Sequence, residues 1–261
     1  MSKISTFSPE GDAQLGLGFG FVPDMLVSIS VWSLLQVVIF QWPDLSTFNL
    51  KRDVLVDVRN RMVSIVHGIV SLCVCTYLTL TSSATCGSQI IQSEYGAGII
   101  TLGYFTYDFL CMAYFGLLER DMIIHHFLSI TGMTVVFYTG VNMYTLVWGT
   151  AIAEVSNPFL HMRSIFKHLG WRYARSYEVA ELTFFFTFVV ARMLVGHYFM
   201  YMDGFTCEHF HIVGKALFAG LMLQSYQFVI SMYKILMRRF AEIKERNDKK
   251  IKFGWFTPIS Q

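Results

Sequence analysis

Seven apolar runs, each close to the length of a membrane-crossing helix, dictate what this chain can become. They cover approximately Met25–Gln41, Met62–Leu80, Tyr95–Gly116, His125–Thr139, Asn142–Leu160, Tyr177–Met200 and His211–Met237. A helix needs about 20 apolar residues to cross roughly 30 Å of hydrocarbon. In lipid each segment must satisfy its own backbone hydrogen bonds, so every run is expected to be helical. The fourth is short and has room to extend back through Met122–Ile124. Only 15% of residues are charged and 54% are hydrophobic, whereas soluble domains carry about a quarter charged residues. The expected fold is an all-α polytopic membrane bundle of about seven helices.

The distribution of charge orients that bundle. Arg120 and two groups of four, Lys51, Arg52, Arg59, Arg61 and Arg163, Lys167, Arg172, Arg175, fall in loops one, three and five. Lys234, Arg238, Arg239, Lys244, Arg246, Lys249, Lys250 and Lys252 follow the last run. Seventeen of the 20 lysines and arginines thus lie on one side, and loops two, four and six hold none. Short loops rich in these residues stay cytosolic, which predicts a lumenal or outside N-terminus and a cytosolic C-terminus. Basic residues spread over separate loops give no nucleic-acid surface. The first 14 residues show no cleavable signal, so helix one is expected to act as the targeting signal. Ala241–Lys250 reads as a solvated helical tail whose excess of lysine and arginine suits an anionic lipid face.

Cys73, Cys75 and Cys111 lie within helices, where cysteine behaves as a small hydrophobe. Cys86 and Cys207 fall in lumenal loops; an oxidising lumen permits a disulfide between them, and two free thiols are the alternative.

Ionisable residues at membrane depth normally face a bundle interior or a wet cavity. Here they are His67, Asp108, His125, His126, Glu154, Glu181, Arg192 and His197. At helical spacing, Ser64, His67, Ser71 and Cys75 form one stripe; Thr101, Tyr104, Asp108 and Cys111 form a second. Thr150, Glu154, Asn157 and His161 form a third, Glu181, Phe188 and Arg192 a fourth, and Gly220, Gln224, Gln227 and Ser231 a fifth. One such stripe is ordinary interhelical glue; five carrying ionisable groups favour a polar chamber. Counting about 1.5 Å per residue puts His67, Asp108, Glu154 and the histidine pair in the cytosolic half, with Arg192 deeper, towards the floor. Adjacent helical residues point about 100° apart. His125 shares a face with Ser129 and Gly132 and is expected to look into the chamber, while His126 stacks with Ile130 and Thr134. Pro158 either kinks helix five beside Glu154 and Asn157 or marks its approaching end.

Three elements occurring in order, Y-F-T-Y-D-F (Tyr104–Phe109), H-H (His125–His126) and E-V-S-N-P-F-L-H-M-R (Glu154–Arg163), resemble the TLC-domain family, as does R-N-R-M-V-S-I-V-H (Arg59–His67). That family includes ceramide synthases, translocating-chain-associated membrane proteins and smaller proteins of lipid homeostasis. The resemblance divides the chain into residues 1–53, with the N-terminal tail, first helix and first loop, a TLC domain at 54–239, and a cytosolic tail at 240–261. It implies lipid homeostasis and location in the endoplasmic reticulum, with the plasma or another organelle membrane as alternatives.

Ceramide synthases carry a second element, H-D-x-S-D, about 27 residues after the paired histidines. Here Ala153, Glu154, Val155, Ser156 and Asn157 stand in its place. The leading expectation is therefore a protein that binds a membrane lipid or acyl chain through His67, Tyr104, Glu154, Asn157, Arg192 and Gln224. The alternative is an N- or O-acyltransferase with acyl-CoA as co-substrate. His125 or His126 would serve as its base, with Asp108 or Glu154 orienting the ring. Three other readings carry less. A receptor is weakened because Glu119–Asp121 lacks the aromatic residue that would complete a receptor motif. A metal site of His67, His125, His126 and Asp108 and a structural subunit of a membrane complex are the others. Homo-oligomers are compatible with the short loops.

Overall fold

A computed structural model describes residues 20–249 and 254–256. The readings of the first 14 residues and of Lys250 and Lys252 lie outside the described residues.

Helix α1 spans Phe21–Gln41, and a short 3₁₀ turn at Ser46–Phe48 leads to α2, Arg52–Thr81. Helices α3, Gln92–Phe115, and α4, Arg120–Thr139, each stop at a glycine, Gly116 and Gly140, both with φ 70°. Glycine enters this left-handed conformation without the Cβ penalty, which makes it a helix terminator. Helix α9, Ile212–Asp248, closes the order.

The fifth apolar run departs from the expected single span. It forms α5, Met143–Glu154, and α6, Asn157–His168, of 12 residues each. Pro158 has no N–H to donate and occupies the first turn of α6, where that loss is tolerated. Val155 and Ser156 keep right-handed helical angles between the two pieces, so the chain kinks there without reversing. Among the described residues, six helical stretches are long and apolar enough to cross a membrane, and the broken fifth run is not one of them.

The sixth run is also irregular. After α7, Arg175–Phe188, wider π-helical turns at Val189–Val195 and Met200–Phe205 flank a single α-turn, α8, Gly196–Phe199. Extra residues per turn rotate everything that follows, a device often found at functional sites.

The elements pack as a ring. Helix α2 contacts α3, α3 contacts α4, and α4 contacts α9. Helix α9 meets the π-helical turns, these meet α5, and α5 with α6 returns to α2. Helix α1 lies outside, on α2 and α3. Its inward stripe, Ser28, Trp32 and Gln36, is buried, whereas Val22, Leu26, Val31 and Leu34 are exposed. The same outward display of large apolar side chains recurs on α2, α7 and α9. An outer surface of this kind needs lipid around it; the protein is a multi-pass, all-α membrane bundle.

Because successive crossings alternate, the ring has two distinct ends. At one, a disulfide joins Cys86 to Cys207, whose Cα atoms are 5.6 Å apart. Asn142, at φ 64°, fastens the same loops: its Oδ1 accepts from the Gly87 amide at 2.7 Å, and its Nδ2 donates to the His209 carbonyl at 2.9 Å. At the other, basic end, Glu181 accepts from Arg163 at 2.9 Å and from Arg239 at 2.7 Å, binding α6, α7 and α9 together. Glu181 was expected on a chamber-facing stripe with Arg192; instead it is held by Arg163 and Arg239, about three helical turns away from Arg192.

Candidate functional site

The ring encloses two adjoining clefts of about 140 Å³ each. One is mainly apolar and runs from the kink towards the disulfide end, past Gly132, Gly149, Phe199, Leu217 and Phe218 to Phe210. The other is also largely apolar in surface but gathers the ionisable side chains, and runs towards the basic end past His67, Tyr104, Asp108, His126 and His161 to Asp121 and Gln224. Phe105, His125, Glu154, Asn157, Arg192 and Ser225 line both. These six residues mark the passage between a compartment with no other ionisable lining residue and one that holds several.

The kink builds one side of that passage. With α5 ending at Glu154 and α6 starting at Asn157, the Asn157 Nδ2 donates to Glu154 Oε2 at 3.0 Å. Asn157 Oδ1 accepts from the Arg192 guanidinium at 3.1 Å, and the same nitrogen donates to the Ala153 carbonyl, also at 3.1 Å. Asn157 therefore bridges the carboxylate and the cation. The Arg192 guanidinium thus sits at the α5–α6 junction and lines both clefts. The guanidinium also lies 5.2 Å from the centre of the Phe188 ring. On the far side of Glu154, α2 approaches so closely that a Cβ on Gly68 would meet Glu154 Oε2 at 3.0 Å.

A buried relay of polar groups makes the other side. Gln36 Oε1 on α1 lies 2.7 Å from the Tyr107 hydroxyl, which lies 3.1 Å from Asn60 Oδ1 on α2. Asn60 Nδ2 donates to Asp108 Oδ1 at 2.7 Å. Asp108 Oδ2 is 2.9 Å from His126 Nε2, and the other ring nitrogen of His126 is 2.9 Å from the Met122 carbonyl. Both nitrogens of His126 thus face oxygen acceptors inside the protein, and the residue is buried.

His125 has a different environment. It lines both clefts, with Gln224 as its hydrogen-bonding neighbour, while Gln224 Nε2 also holds the Asp121 carbonyl at 2.7 Å. His67 is packed: its ring stacks on Tyr104 with centroids 3.6 Å apart, Trp32 abuts both rings edge-on, and its Nε2 lies 2.9 Å from the Ser71 hydroxyl.

All nine residues singled out from the sequence line one or both clefts. Gln227 and Ser231, assigned to the same stripe as Gln224, are instead exposed; the buried polar residue of α9 at this level is Ser225. Asn60, Tyr107 and Gln36 were missed. Asn60 was within reach, because it extends the stripe of Ser64, His67 and Ser71 back by one turn. Among the described residues, no three His, Cys, Asp or Glu side chains gather as metal ligands, so the four-residue metal site does not form.

The ring and its paired histidines coincide with a family match. A family model described as the TLC domain matches residues 57–237, from early in α2 to well along α9, and leaves α1 outside. The match covers more than half of the sequence. The chain belongs to the TLC-domain family.

Proposed function

We propose that the protein binds a single-chain or acylated lipid inside the ring, with its polar head in the His125–Arg192 passage and its chain in the apolar cleft. The observation that carries this reading is the junction: six residues belong to both clefts, and every other ionisable lining residue lies on one side of them. An amphiphile has the same polarity profile. A mostly apolar pocket with a few placed polar groups is the usual form of a small-molecule site. The positive-inside rule favours a cytosolic location for the opening beside the histidines, and family membership supports a role in lipid homeostasis in the endoplasmic reticulum.

One observation favours a second reading, acyl transfer from acyl-CoA. An imidazole acting as base needs a ring nitrogen open to substrate. His126 has both nitrogens engaged, whereas His125 borders both clefts. His125 would take the proton from an amine or hydroxyl as that group attacks the thioester carbonyl and expels the CoA thiolate. Asp108 and His126 would then act as scaffold.

Lipids extracted from the purified protein and identified by mass spectrometry test the first reading; a stoichiometric acylated species is expected. Incubation with acyl-CoA and candidate acceptors tests the second. Turnover that vanishes in His125→Ala while bound lipid persists selects the enzyme. No bound lipid and no turnover would refute both.

A further inference from the structure

A separate cleft of about 200 Å³ opens near the disulfide end, lined on α5 by residues other than those of the apolar cleft. Its polar lining comes from Thr79 and Ser82 at the end of α2, Glu94 in the first turn of α3, Tyr144 and Trp148 on α5, and Asp203. Among the described residues, neither lysine, arginine nor histidine lines it. Two carboxylates therefore meet there without a basic side chain.

Glu94 is the unusual member. It is 1% exposed, and only one of its oxygens is satisfied: Ser82 donates to Oε1 at 2.8 Å, while Oε2 is buried without a partner. Thr79 Oγ1, on the same wall, is also buried without a partner. Asp203 accepts from the Tyr144 hydroxyl at 3.2 Å and is half-buried. Buried carboxylates and hydroxyls are ordinarily satisfied, and an unpaired acid is costly to hold out of water. Ala84 and Thr85 directly precede Cys86 in the chain, and Asp203 lies four residues before Cys207, so the disulfide ties together two segments that line the cleft.

We propose that this cleft binds a primary ammonium group. An –NH₃⁺ offers three donors and no acceptor, which suits acceptors supplied by Glu94, Asp203 and Thr79, and its charge offsets the two acids. Trp148 and Tyr144 add aromatic surface of the kind that attracts cations. A quaternary ammonium would carry the charge but donate nothing to the unpartnered oxygens. A divalent ion fits less well, because the described residues bring no third acid or imidazole to the cleft. The ammonium could belong to a soluble amine or to an ethanolamine lipid headgroup, and the two sources share this chemistry.

The test is calorimetric titration of detergent-purified, disulfide-intact protein with ethanolamine hydrochloride, tetramethylammonium chloride and calcium chloride. Saturable ethanolamine binding is expected, with tetramethylammonium weaker by at least about tenfold. Glu94→Gln and the half-exposed Asp203→Asn should each weaken ethanolamine by a similar factor. Absence of saturable binding, equal affinity for tetramethylammonium, binding of calcium alone, or unchanged affinity in a folded Asp203→Asn protein would overturn the proposal. Native mass spectrometry from phosphatidylethanolamine and phosphatidylcholine nanodiscs separates the sources. Ethanolamine lipid retained by the wild type and lost in Asp203→Asn assigns a headgroup; ethanolamine binding without retained lipid assigns a soluble amine.

Discussion

His126 Nε2 and Asp108 Oδ2 lie 2.9 Å apart between α4 and α3, with both side chains more than nine-tenths buried. The pair joins two walls of the ring at the level of the polar cleft, and Asn60 ties it to α2 through the other Asp108 oxygen. Removing one member of such a pair leaves the other buried without its partner, at a cost of about 3–5 kcal/mol. His126→Ala and Asp108→Ala should each lower the unfolding temperature of detergent-purified protein well below that of His125→Ala. Their double variant should be less destabilised than the sum of the two singles, as interacting sites are. Additive losses in a thermal unfolding series would show that the contact holds nothing together.

Helix α1 is docked by a glycine. A Cβ at position 103 would collide with the Ser28 side chain, while Trp32 Nε1 donates to the Ile100 carbonyl at 3.1 Å just beside it. Gly103→Ala should therefore destabilise by about 1–3 kcal/mol, the usual cost of overpacking. Ser28→Gly, introduced together with it, should recover much of that loss. Limited proteolysis of the connection Trp42–Lys51 reads α1 release directly; equal cleavage in all three proteins would contradict the docking.

In the passage, the geometry of the guanidinium counts as much as its charge. Arg192 donates to the Ala153 carbonyl and Asn157 Oδ1 while its guanidinium lies 5.2 Å from the Phe188 ring centre, and lysine is shorter and lacks the flat, delocalised head that packs on an aromatic ring. Arg192→Lys should change bound-lipid occupancy nearly as much as Arg192→Met. Asn157→Ala, which removes the bridge to Glu154, should act in the same direction. Quantitative lipid mass spectrometry decides it: wild-type occupancy in Arg192→Lys would reduce the role of Arg192 to charge alone.

Closing the loop between Cys86 and Cys207 constrains 121 residues of sequence separation. Cross-links of this kind typically add about 2–4 kcal/mol by limiting the unfolded chain. Reductant, or Cys86→Ser, should lower the unfolding temperature, and peptide mapping without reductant should recover the two cysteines together. Two alkylatable thiols in the folded protein would remove the bond from the account.

What could be read in the sequence follows from which signals are local. Apolar runs located the helices because spanning length is a property of each segment alone. Residues on straight helices, such as His67, Tyr104 and Asp108, line one cleft because their spacing follows a regular turn. Arg192 reaches the α5–α6 junction through its long side chain, a contact that no count along its own helix records. Gln227 and Ser231 were misassigned because α9 turns Ser225 inward, a choice made by its neighbours across the ring. The relay through Gln36 and Tyr107 joins α1 to α3 and α2, and no single helix records it.

The apolar cleft makes the last prediction, because small residues keep it open. A Cβ on Gly132 would find only Leu217, at 3.9 Å, and one on Gly149 only Phe218, at 3.7 Å. Larger side chains at these positions would project into the space assigned to the acyl chain. Gly132→Leu should keep the fold, as judged by an unfolding temperature near that of wild type. It should also expel long-chain lipid or shift bound species towards shorter chains. The shift is diagnostic, since steric filling shortens the occupant whereas loss of the polar passage lowers occupancy at every chain length. Unchanged chain-length distributions in a folded Gly132→Leu protein would place the lipid elsewhere.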